Sequence, residues 1–395
     1  MPAISPTSAR LGRNVLALAA VSFLTDVASD MTYPLLPLFL STVLGASATA
    51  VGAIEGAAES TAALLKLGSG WLSDRVRRRK PLVLLGYGIA SLIRPLIGLA
   101  QSATQVLAIR VADRVGKGIR GAPRDALIAD SVDPAIRGRA FGFHRAADHA
   151  GAVVGPLLAF ALLRWTEMDL RQLFLLTIVP GALSVAALVF GVREVPRVTE
   201  TSKRFDPHAR LGRRFWAFLG VLFIFTLGNS TDAFLLLRAA DLGVAPALIP
   251  ILWAMLHVVK SLSSTPGGAL SDRLGRKPLL IAGWLVYAAV YFLLGRAGAE
   301  WQAWALFAVY GIYFGLTEGV EKALVADLVP ADRRGAAFGW FNLALGLGAL
   351  PASLIFGAIW DRSGAAAAFT FGAVMALVAA IGIAAVAPAK RNVEA

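Results

Sequence analysis

The chain has 395 residues, of which 57% are hydrophobic and 16% are charged, and its formal net charge is +13. A composition this apolar excludes an ordinary soluble domain, and most Lys and Arg lie in short polar breaks between apolar runs, so the charge indicates membrane topology rather than nucleic-acid binding. The sequence contains no cysteine, which excludes disulfides and thiolate metal sites.

Apolar runs long enough to cross a bilayer, about 20 residues each, follow one another along the whole chain. The first run contains Asp26 and Asp30 and is too long and too polar for a cleavable signal sequence, so we expect it to remain as a helix. We predict an all-α membrane protein with twelve transmembrane helices, at residues 15–40, 47–72, 81–101, 104–130, 138–163, 171–192, 214–238, 246–271, 279–297, 302–329, 335–360 and 365–388.

The distribution of Lys and Arg predicts the orientation of these helices. Most basic residues outside the spans lie at the two termini and in the loops that follow even-numbered spans, so both termini are expected to be cytoplasmic. The polar, Arg-rich stretch 193–213 is interpreted as a cytoplasmic linker. It separates an N-terminal six-helix bundle at 1–192 from a C-terminal six-helix bundle at 214–395.

The two predicted bundles are related by an internal duplication. Residues 126–143 return as residues 323–340, 197 positions later, with ten of the eighteen residues identical. A repeat of this length is far too long for a solenoid unit. Two related halves of six spans each indicate a pseudo-symmetric membrane transporter with its site between the halves.

A motif of Gly, Leu, Asp and Arg with single-residue spacers ends the second span and recurs at the end of the eighth, each time before a basic run. This motif resembles the loop signature of the Major Facilitator Superfamily, and the resemblance covers both halves. It implies the twelve-helix fold of that family and a gating role for Gly70, Asp74, Arg75, Asp272 and Arg273.

Two further patterns resemble signatures of the same family. Arg114-Val-Gly-Lys-Gly is similar to its fourth-helix pattern, which implies a role in proton coupling for Arg114 and for the neighbouring Asp113. Gly151-x-x-x-Gly155-Pro156 resembles the fifth-helix signature of exporters. That resemblance implies that these three residues take part in gating, and it favours export over uptake.

The fourth predicted span contains an unusual number of charged residues. Asp113, Lys117, Arg120 and Arg124 are separated by steps of four, three and four, which places them on one helix face. Charges at this depth are costly unless they face a cavity or pair with one another. We predict that Lys117, Arg120 and Arg124 bind an anionic group of a substrate. The alternative is an internal salt-bridge network, because the spans contain as many acids as bases.

Paired carboxylates in the first two spans are candidates for proton binding. Asp26 and Asp30 lie one turn apart, as do Glu55 and Glu59. Neighbouring carboxylates in a low-dielectric environment compete for protons. We therefore predict proton coupling at these four residues, with pairing to a cation of the fourth span as the alternative.

Six other polar residues inside the spans are predicted to bind substrate. A histidine in such a position relays protons or binds a ligand, although a hydrogen-bonded structural histidine is the simpler interpretation. The carboxylates and the lysine are included because a charge inside a span is costly unless it faces a cavity or pairs with another charge. These residues are Asp148, His149, His257, Lys260, Glu318 and Glu321.

The predicted function is proton-coupled antiport of a small anionic or zwitterionic organic compound by alternating access. No nucleotide-binding loop, zinc-protease motif or signalling domain occurs, so we predict no enzyme activity, no cofactor and no metal site. The expected partners are the substrate, protons and the lipid bilayer of a bacterial inner membrane, with a monomeric chain and no nucleic acid. Uptake by symport, a channel or a membrane enzyme, and export of a divalent metal through Asp26, Asp30, Glu59 and His149 or His257 are the alternatives.

Overall fold

The protein is helical throughout the part of the chain that the structure describes. The computed structural model describes residues 12–75, 78–132, 137–195, 211–329 and 333–386, and no strand occurs within these ranges. Residues 196–210 of the predicted linker lie outside them. The helices are α1 (Arg13–Val43), α2 (Ala48–Arg75), α3 (Lys80–Leu99), α4 (Ala103–Asp130), α5 (Arg137–Trp165), α6 (Leu170–Gly191), α7 (Arg213–Asp241), α8 (Ile249–Leu274), α9 (Arg276–Arg296), α10 (Glu300–Leu328) and α11 (Arg334–Val386).

Several of these helices are interrupted. In α11, Gly364 has a φ of 82°, a left-handed conformation that glycine adopts without steric cost, and the break falls near the predicted boundary between the last two spans. In α7, the first part ends at Gly228 and helical structure resumes at Ala233. In α1, a 3₁₀ turn occupies Tyr33–Leu35, where a proline removes one backbone donor.

Nine helical segments of the described residues are long and apolar enough to cross a membrane. α2 and α4 are not among them, and α4 is the helix that contains the charged face predicted from the sequence. The broken α11 is included as one segment of 50 residues, Ala337–Val386. The all-helical membrane fold is therefore confirmed, whereas the number of twelve crossings and the cytoplasmic termini stay predictions.

The contacts between helices divide the chain into two compact units. The first comprises Met1–Leu35 and Leu64–Ser202, and the second comprises Leu36–Ala63 and Lys203–Ala395, in each case for the residues that the structure describes. In the first unit, α1 packs on α5 and α6, and α3 packs on α4. In the second unit, α8 packs on α10, and α11 packs on α7 and α9. The domain boundaries drawn from the sequence stay a prediction.

Each unit contains an equivalent ion pair at a helix junction. In the first unit, Nη1 of Arg79 contacts the carboxylate of Asp130. In the second, Nε of Arg276 lies 3.3 Å from Oδ2 of Asp327. Both residues of the second pair lie 197 positions after their counterparts, which is the offset of the sequence repeat. The duplication has therefore preserved the contact that joins the start of α3 or α9 to the end of the next helix.

Two glycines of α5 allow it to pack closely against α1. A Cβ atom on Gly151 would lie 2.5 Å from the carbonyl oxygen of Phe23, and one on Gly155 would lie 2.6 Å from the carbonyl oxygen of Val27. Both distances are too short for a real Cβ. Small residues at this spacing are a common means of close helix packing in membranes, and here they bring the backbone of α5 against that of α1.

We expect Gly155→Ala to destabilise the first unit. The new methyl group would clash with backbone atoms of α1, which move less easily than a flexible side chain. Overpacking of this kind costs about 1–3 kcal/mol. The measurement is the apparent Tm of the detergent-purified chain, taken from the fraction that stays monodisperse after heating. Gly88→Ala in α3 is the matched control, because no atom lies within 4 Å of its added Cβ. Equal Tm values for the two variants would contradict the close-packing interpretation.

The first turn of α2 is capped by a side chain from α11. Oδ1 of Asp361 accepts a hydrogen bond from the backbone N–H of Ala48 at 2.9 Å, and Oδ2 accepts one from Thr49 at 2.8 Å. Ser47 adds a third bond, from the backbone N–H of Ala50 to its Oγ at 3.2 Å. A carboxylate is favoured at this end of a helix because the unpaired N–H groups give it a partial positive charge.

We expect Asp361→Ala to lower the stability of the second unit by about 1–2 kcal/mol, the usual effect of losing a helix cap. Asp361→Asn keeps one acceptor and should have an intermediate effect. Thermal unfolding of the purified chain provides the measurement, with the exposed Glu167→Ala as the control. If all three variants unfold at the wild-type temperature, the cap contributes nothing to stability.

Candidate functional site

The buried charges of α4 are partly neutralised by a neighbouring helix. Nη2 of Arg94, in α3, lies 2.9 Å from Oδ1 of Asp113, and Nη1 of Arg110 lies 3.7 Å from Oδ2 of the same carboxylate. Arg94 also donates a hydrogen bond to the carbonyl oxygen of Thr25 in α1, at 3.3 Å. Asp113 is therefore held between two guanidinium groups, an arrangement suited to joining α1, α3 and α4.

The other cations of α4 differ in their surroundings. Cζ of Arg120 lies 4.2 Å above the ring of Tyr87, a cation–π contact, and among the described residues no hydrogen-bond acceptor lies within reach of its Nη1. Arg124 pairs with Asp125 at 2.9 Å and donates to Oγ of Ser22 at 3.4 Å. Arg120 therefore has a buried donor atom that no described residue uses.

Arg114 and Lys117 complete the predicted set on α4. Arg114 is buried and Lys117 is half-buried. The positive charges of Arg114 and Arg120 act on Asp113, whereas those of Lys117 and Arg120 act on Asp26 of α1. The predicted basic face therefore lies partly against acids of its own unit.

The acids of α1 face polar residues of α4 and α5. Asp26 interacts electrostatically with Asp148 of α5 and with Asp30, as well as with the cations of α4. Asp148 lies 3.6 Å from both Nδ1 of His144 and Nη1 of Arg145, measured to its Oδ2. Asp30 and His149 are half-buried. This group, with Asp26 and Asp148 at its centre, is the acidic part of the first unit.

In the second unit, the break in α7 places an acid among tyrosines. Asp232 lies just before the second part of α7, and its Oδ1 accepts a hydrogen bond from the hydroxyl of Tyr310 at 2.8 Å. The ring of Tyr310 stacks on that of Tyr313, with centroids 5.5 Å apart. Lys260 and Glu59 interact with Asp232 electrostatically. Broken helices at polar positions are a feature of transporter binding sites.

Lys260 and Glu318 form the main ion pair of the second unit's polar region. Nζ of Lys260 lies 3.4 Å from Oε2 of Glu318 and 4.0 Å from the ring centroid of Phe314. Lys322 approaches the other oxygen of Glu318 at 3.9 Å. His257, one turn before Lys260, packs edge-to-face on Trp253 at 4.9 Å. These contacts bring the predicted residues of α8 and α10 together.

Three further predicted acids lie in the second unit. Glu321 is 9% exposed and accepts a hydrogen bond from Nε1 of Trp284 at 3.3 Å. Glu55 is 1% exposed, and Glu59 is exposed. Both glutamates of α2 belong to the part of that helix that clusters with the second unit, whereas Asp26 and Asp30 belong to the first.

The predicted gating residues are only partly described. Gly151, Gly155 and the buried Pro156 lie along α5, where the two glycines contact α1. Arg273 is exposed near the end of α8. The backbone at the other motif positions is helical, but their side-chain environments lie outside the described part of the chain: Gly70, Asp74, Arg75 and Asp272.

Buried charges of opposite sign are unequally distributed between the units. Of the described residues, the first unit contains four buried arginines and two buried aspartates: Arg94, Arg110, Arg114, Arg120, Asp113 and Asp148. Among the described residues of the second unit, the buried Asp, Glu, Lys or Arg side chains are Glu55 and Glu321. In the described chain no three His, Asp or Glu residues are grouped so that they could hold a metal ion. Among the described residues of the first unit, buried guanidinium groups therefore outnumber buried carboxyl groups.

Several polar residues of these regions are missing from the set predicted from the sequence. Arg94 and Asp232 are lone charges in apolar spans, which is a signal that the sequence itself contains. His144 lies four residues before Asp148, a readable helical spacing. Tyr87 and Tyr310 had no distinguishing signal, because a tyrosine in an apolar helix is ordinary until its neighbours are known.

Comparisons with known proteins agree with the helical architecture. The family model described as Major Facilitator Superfamily matches residues 18–239 and 217–394. An uncharacterised MFS-type transporter of Methanocaldococcus jannaschii is 35% identical over 378 residues, covering 94% of each chain. Multidrug resistance protein MdtH of Klebsiella pneumoniae is 24% identical, covering 80% of this chain and 79% of its own.

The fold is also similar to a solved transporter structure. A bacterial homologue of the human lysosomal transporter Spinster superposes with a TM-score of 0.75 at 19% identity, covering 94% of both chains. That likeness concerns the fold alone. The family match spans both halves of the repeat, and the archaeal relative covers almost the whole chain. The chain therefore belongs to the Major Facilitator Superfamily and is a membrane transporter rather than an enzyme.

Proposed function

We propose that the protein exports a small anionic or zwitterionic organic compound in exchange for protons, by alternating access. The observation that supports an anionic cargo is the excess of buried guanidinium groups in the first unit, four arginines against two aspartates. Arginine binds carboxylates and phosphates through two parallel hydrogen bonds. Arg120, with one buried donor unused among the described residues, is the proposed contact, with Lys117 and Arg124 beside it.

Protons are proposed as the coupling ion because carboxylates lie close together in the first unit. Asp26 interacts with both Asp30 and Asp148. Like charges at such positions are unfavourable unless one group is protonated or a cation neutralises it. Binding or loss of a proton then changes which arrangement of helices is favoured, provided the two access states bind the proton with different affinity.

Export is proposed over uptake on two grounds. The Gly151-x-x-x-Gly155-Pro156 pattern resembles the exporter signature, and the relative MdtH is named for multidrug resistance. MdtH is 24% identical to this chain. Its name supports the direction of transport more than the identity of the substrate. We further propose a monomer in a bacterial cytoplasmic membrane, the orientation being set by the basic loops.

The proposal is tested in proteoliposomes that enclose a pH-sensitive dye, at equal pH on both sides and with the membrane potential clamped by potassium and valinomycin. A panel of compounds is added outside: benzoate, succinate, glucose 6-phosphate, glutamate and the cation ethidium. Antiport predicts that entry of a transported anion drives protons out of the lumen, so the internal pH rises. Protein-free liposomes correct for passive permeation.

Each alternative outcome has a different signature. A fall in internal pH would identify a symporter and overturn the proposed direction of coupling. Saturable uptake with no pH response would identify a uniporter. A response confined to ethidium would overturn the anionic substrate class while leaving proton antiport in place.

A further inference from the structure

A histidine and an aspartate of α5 form a buried pair that the proposed substrate contacts do not use. His144 is 3% exposed and Asp148 is 9% exposed. The two residues lie one helical turn apart, with Nδ1 of His144 3.6 Å from Oδ2 of Asp148. At that distance the contact is an electrostatic one, longer than an ordinary hydrogen bond. Its strength therefore depends on which of the two groups is ionised.

Each member of the pair has a polar atom with no hydrogen bond to any described residue. These atoms are Nε2 of His144 and Oδ1 of Asp148. Most buried polar atoms in proteins have a partner, so an exception requires a reason. Imidazole nitrogens and carboxylate oxygens are the side-chain atoms that most often take up and release protons in proteins.

Other charged groups face the pair from three helices. From α4, Arg124 and Asp125 both interact electrostatically with His144. From α1, Asp26 interacts with Asp148. On α5 itself, Arg145 reaches Oδ2 of Asp148 at 3.6 Å, with a side chain that is 65% exposed. Both positive and negative side chains therefore surround the pair. When the pair gains or loses a proton, its electrostatic interactions with α1 and α4 change.

We propose that His144 and Asp148 form the proton-binding site of the transporter, with Asp26 as the carboxylate that competes for the same proton. This inference rests on the proposed proton antiport and assigns its coupling site to α5. On one side of the membrane a proton leaves water and binds at Oδ1 of Asp148 or Nε2 of His144. On the other side the same O–H or N–H bond breaks and the proton returns to water, so each cycle carries one proton across the membrane and restores the site.

The site also lies where a change in charge affects packing. Asp26 lies at the interface between α1 and α5, because a Cβ on Gly151 would lie 2.9 Å from the Cβ of Asp26. The same tight interface contains Asp148 three residues before Gly151. A proton gained or lost here therefore acts on two helices whose backbones touch.

The direct test measures proton binding without any substrate. In purified full-length protein, infrared difference spectroscopy follows the stretching band of protonated carboxyl groups during a pH titration. We expect a titrating band in the wild type that is lost in Asp148→Asn and that titrates at a different midpoint in His144→Gln. Asp148→Glu retains a carboxyl group and should retain the band, which provides a second variant if Asp148→Asn fails to fold. An unchanged band in both Asp148→Asn and His144→Gln would overturn the assignment.

The transport test separates this inference from the proposed function. It uses whichever panel compound shows saturable counterflow in wild-type proteoliposomes. Asp148→Asn should retain counterflow and lose accumulation driven by a pH gradient, while the exposed Glu167→Gln, beyond the end of α5, should retain both. If the wild type couples to protons and Asp148→Asn and His144→Gln both remain fully coupled, the site assignment is wrong although the antiport stands. If the wild type itself moves no protons, both proposals are wrong.

Discussion

Asp113→Ala should destabilise the protein more than any other single carboxylate substitution in α4. The change leaves Arg94 and Arg110 buried without the acid that lies between them. Removing one partner of a buried ion pair costs about 3–5 kcal/mol, because the remaining charge is neither hydrated nor neutralised. The effect is measured as a fall in apparent Tm and in the yield of monodisperse protein.

Asp125→Ala in the same helix is the matched control. Asp125 pairs with Arg124 at 2.9 Å, the distance that separates Asp113 from Arg94, but its side chain is 52% exposed against 1% for Asp113. An exposed pair contributes about 0–1 kcal/mol. Adding Arg94→Met to Asp113→Ala removes one unpaired cation and should recover part of the lost stability. Equal Tm shifts for the two aspartate variants would show that burial does not set the effect.

Arg120→Ala should reduce transport of an anionic compound while leaving the chain folded. Arg120 is 7% exposed, and one of its donors has no acceptor among the described residues. A hydrogen bond to a charged group contributes about 1.5–3 kcal/mol, so the half-saturating concentration should rise by about tenfold or more. Counterflow of each anion in the panel, measured over a range of concentrations, provides the test.

Two further variants sharpen the Arg120 result. Arg120→Lys keeps the charge but loses the planar fork and much of the stacking on Tyr87, so it should fall between wild type and alanine. Arg164→Ala removes an exposed cation at the end of α5 and should transport normally. If Arg120→Ala is folded and transports every anion with wild-type affinity, Arg120 has a structural role only.

The helical spacing in the sequence indicated which charged residues of α4 share a face. It did not indicate which residues of other helices they contact. Helical spacing places Asp113 and Arg120 on one side of α4, and the structure brings both into the interior of the first unit. Spacing along α4 does not reveal that Arg94 of α3 is the partner of Asp113 or that Tyr87 lies under Arg120. Those neighbours come from a different helix, and which helix packs there depends on the tertiary arrangement.

The paired acids of α1 and α2 show the same limit in another way. Asp26 and Glu55 were predicted as equivalent candidates, because each lies one turn from a second carboxylate in an apolar span. The structure assigns Asp26 to a region rich in arginine, whereas Glu55 belongs to the unit with few buried cations. The same sequence pattern therefore occurs in two different electrostatic environments. The pattern alone does not distinguish these environments.

The sequence by itself determined that the chain is a duplicated helical membrane protein of the Major Facilitator Superfamily, because apolar length, repeat offset and loop motifs are all properties of residues close together in the chain. Only the tertiary structure decided which buried charges neutralise one another. Arg94 meets Asp113 across 19 positions, and Lys260 meets Glu318 between two helices. In a low-dielectric interior an ion pair depends on a few ångströms of separation, and only helix packing sets that distance.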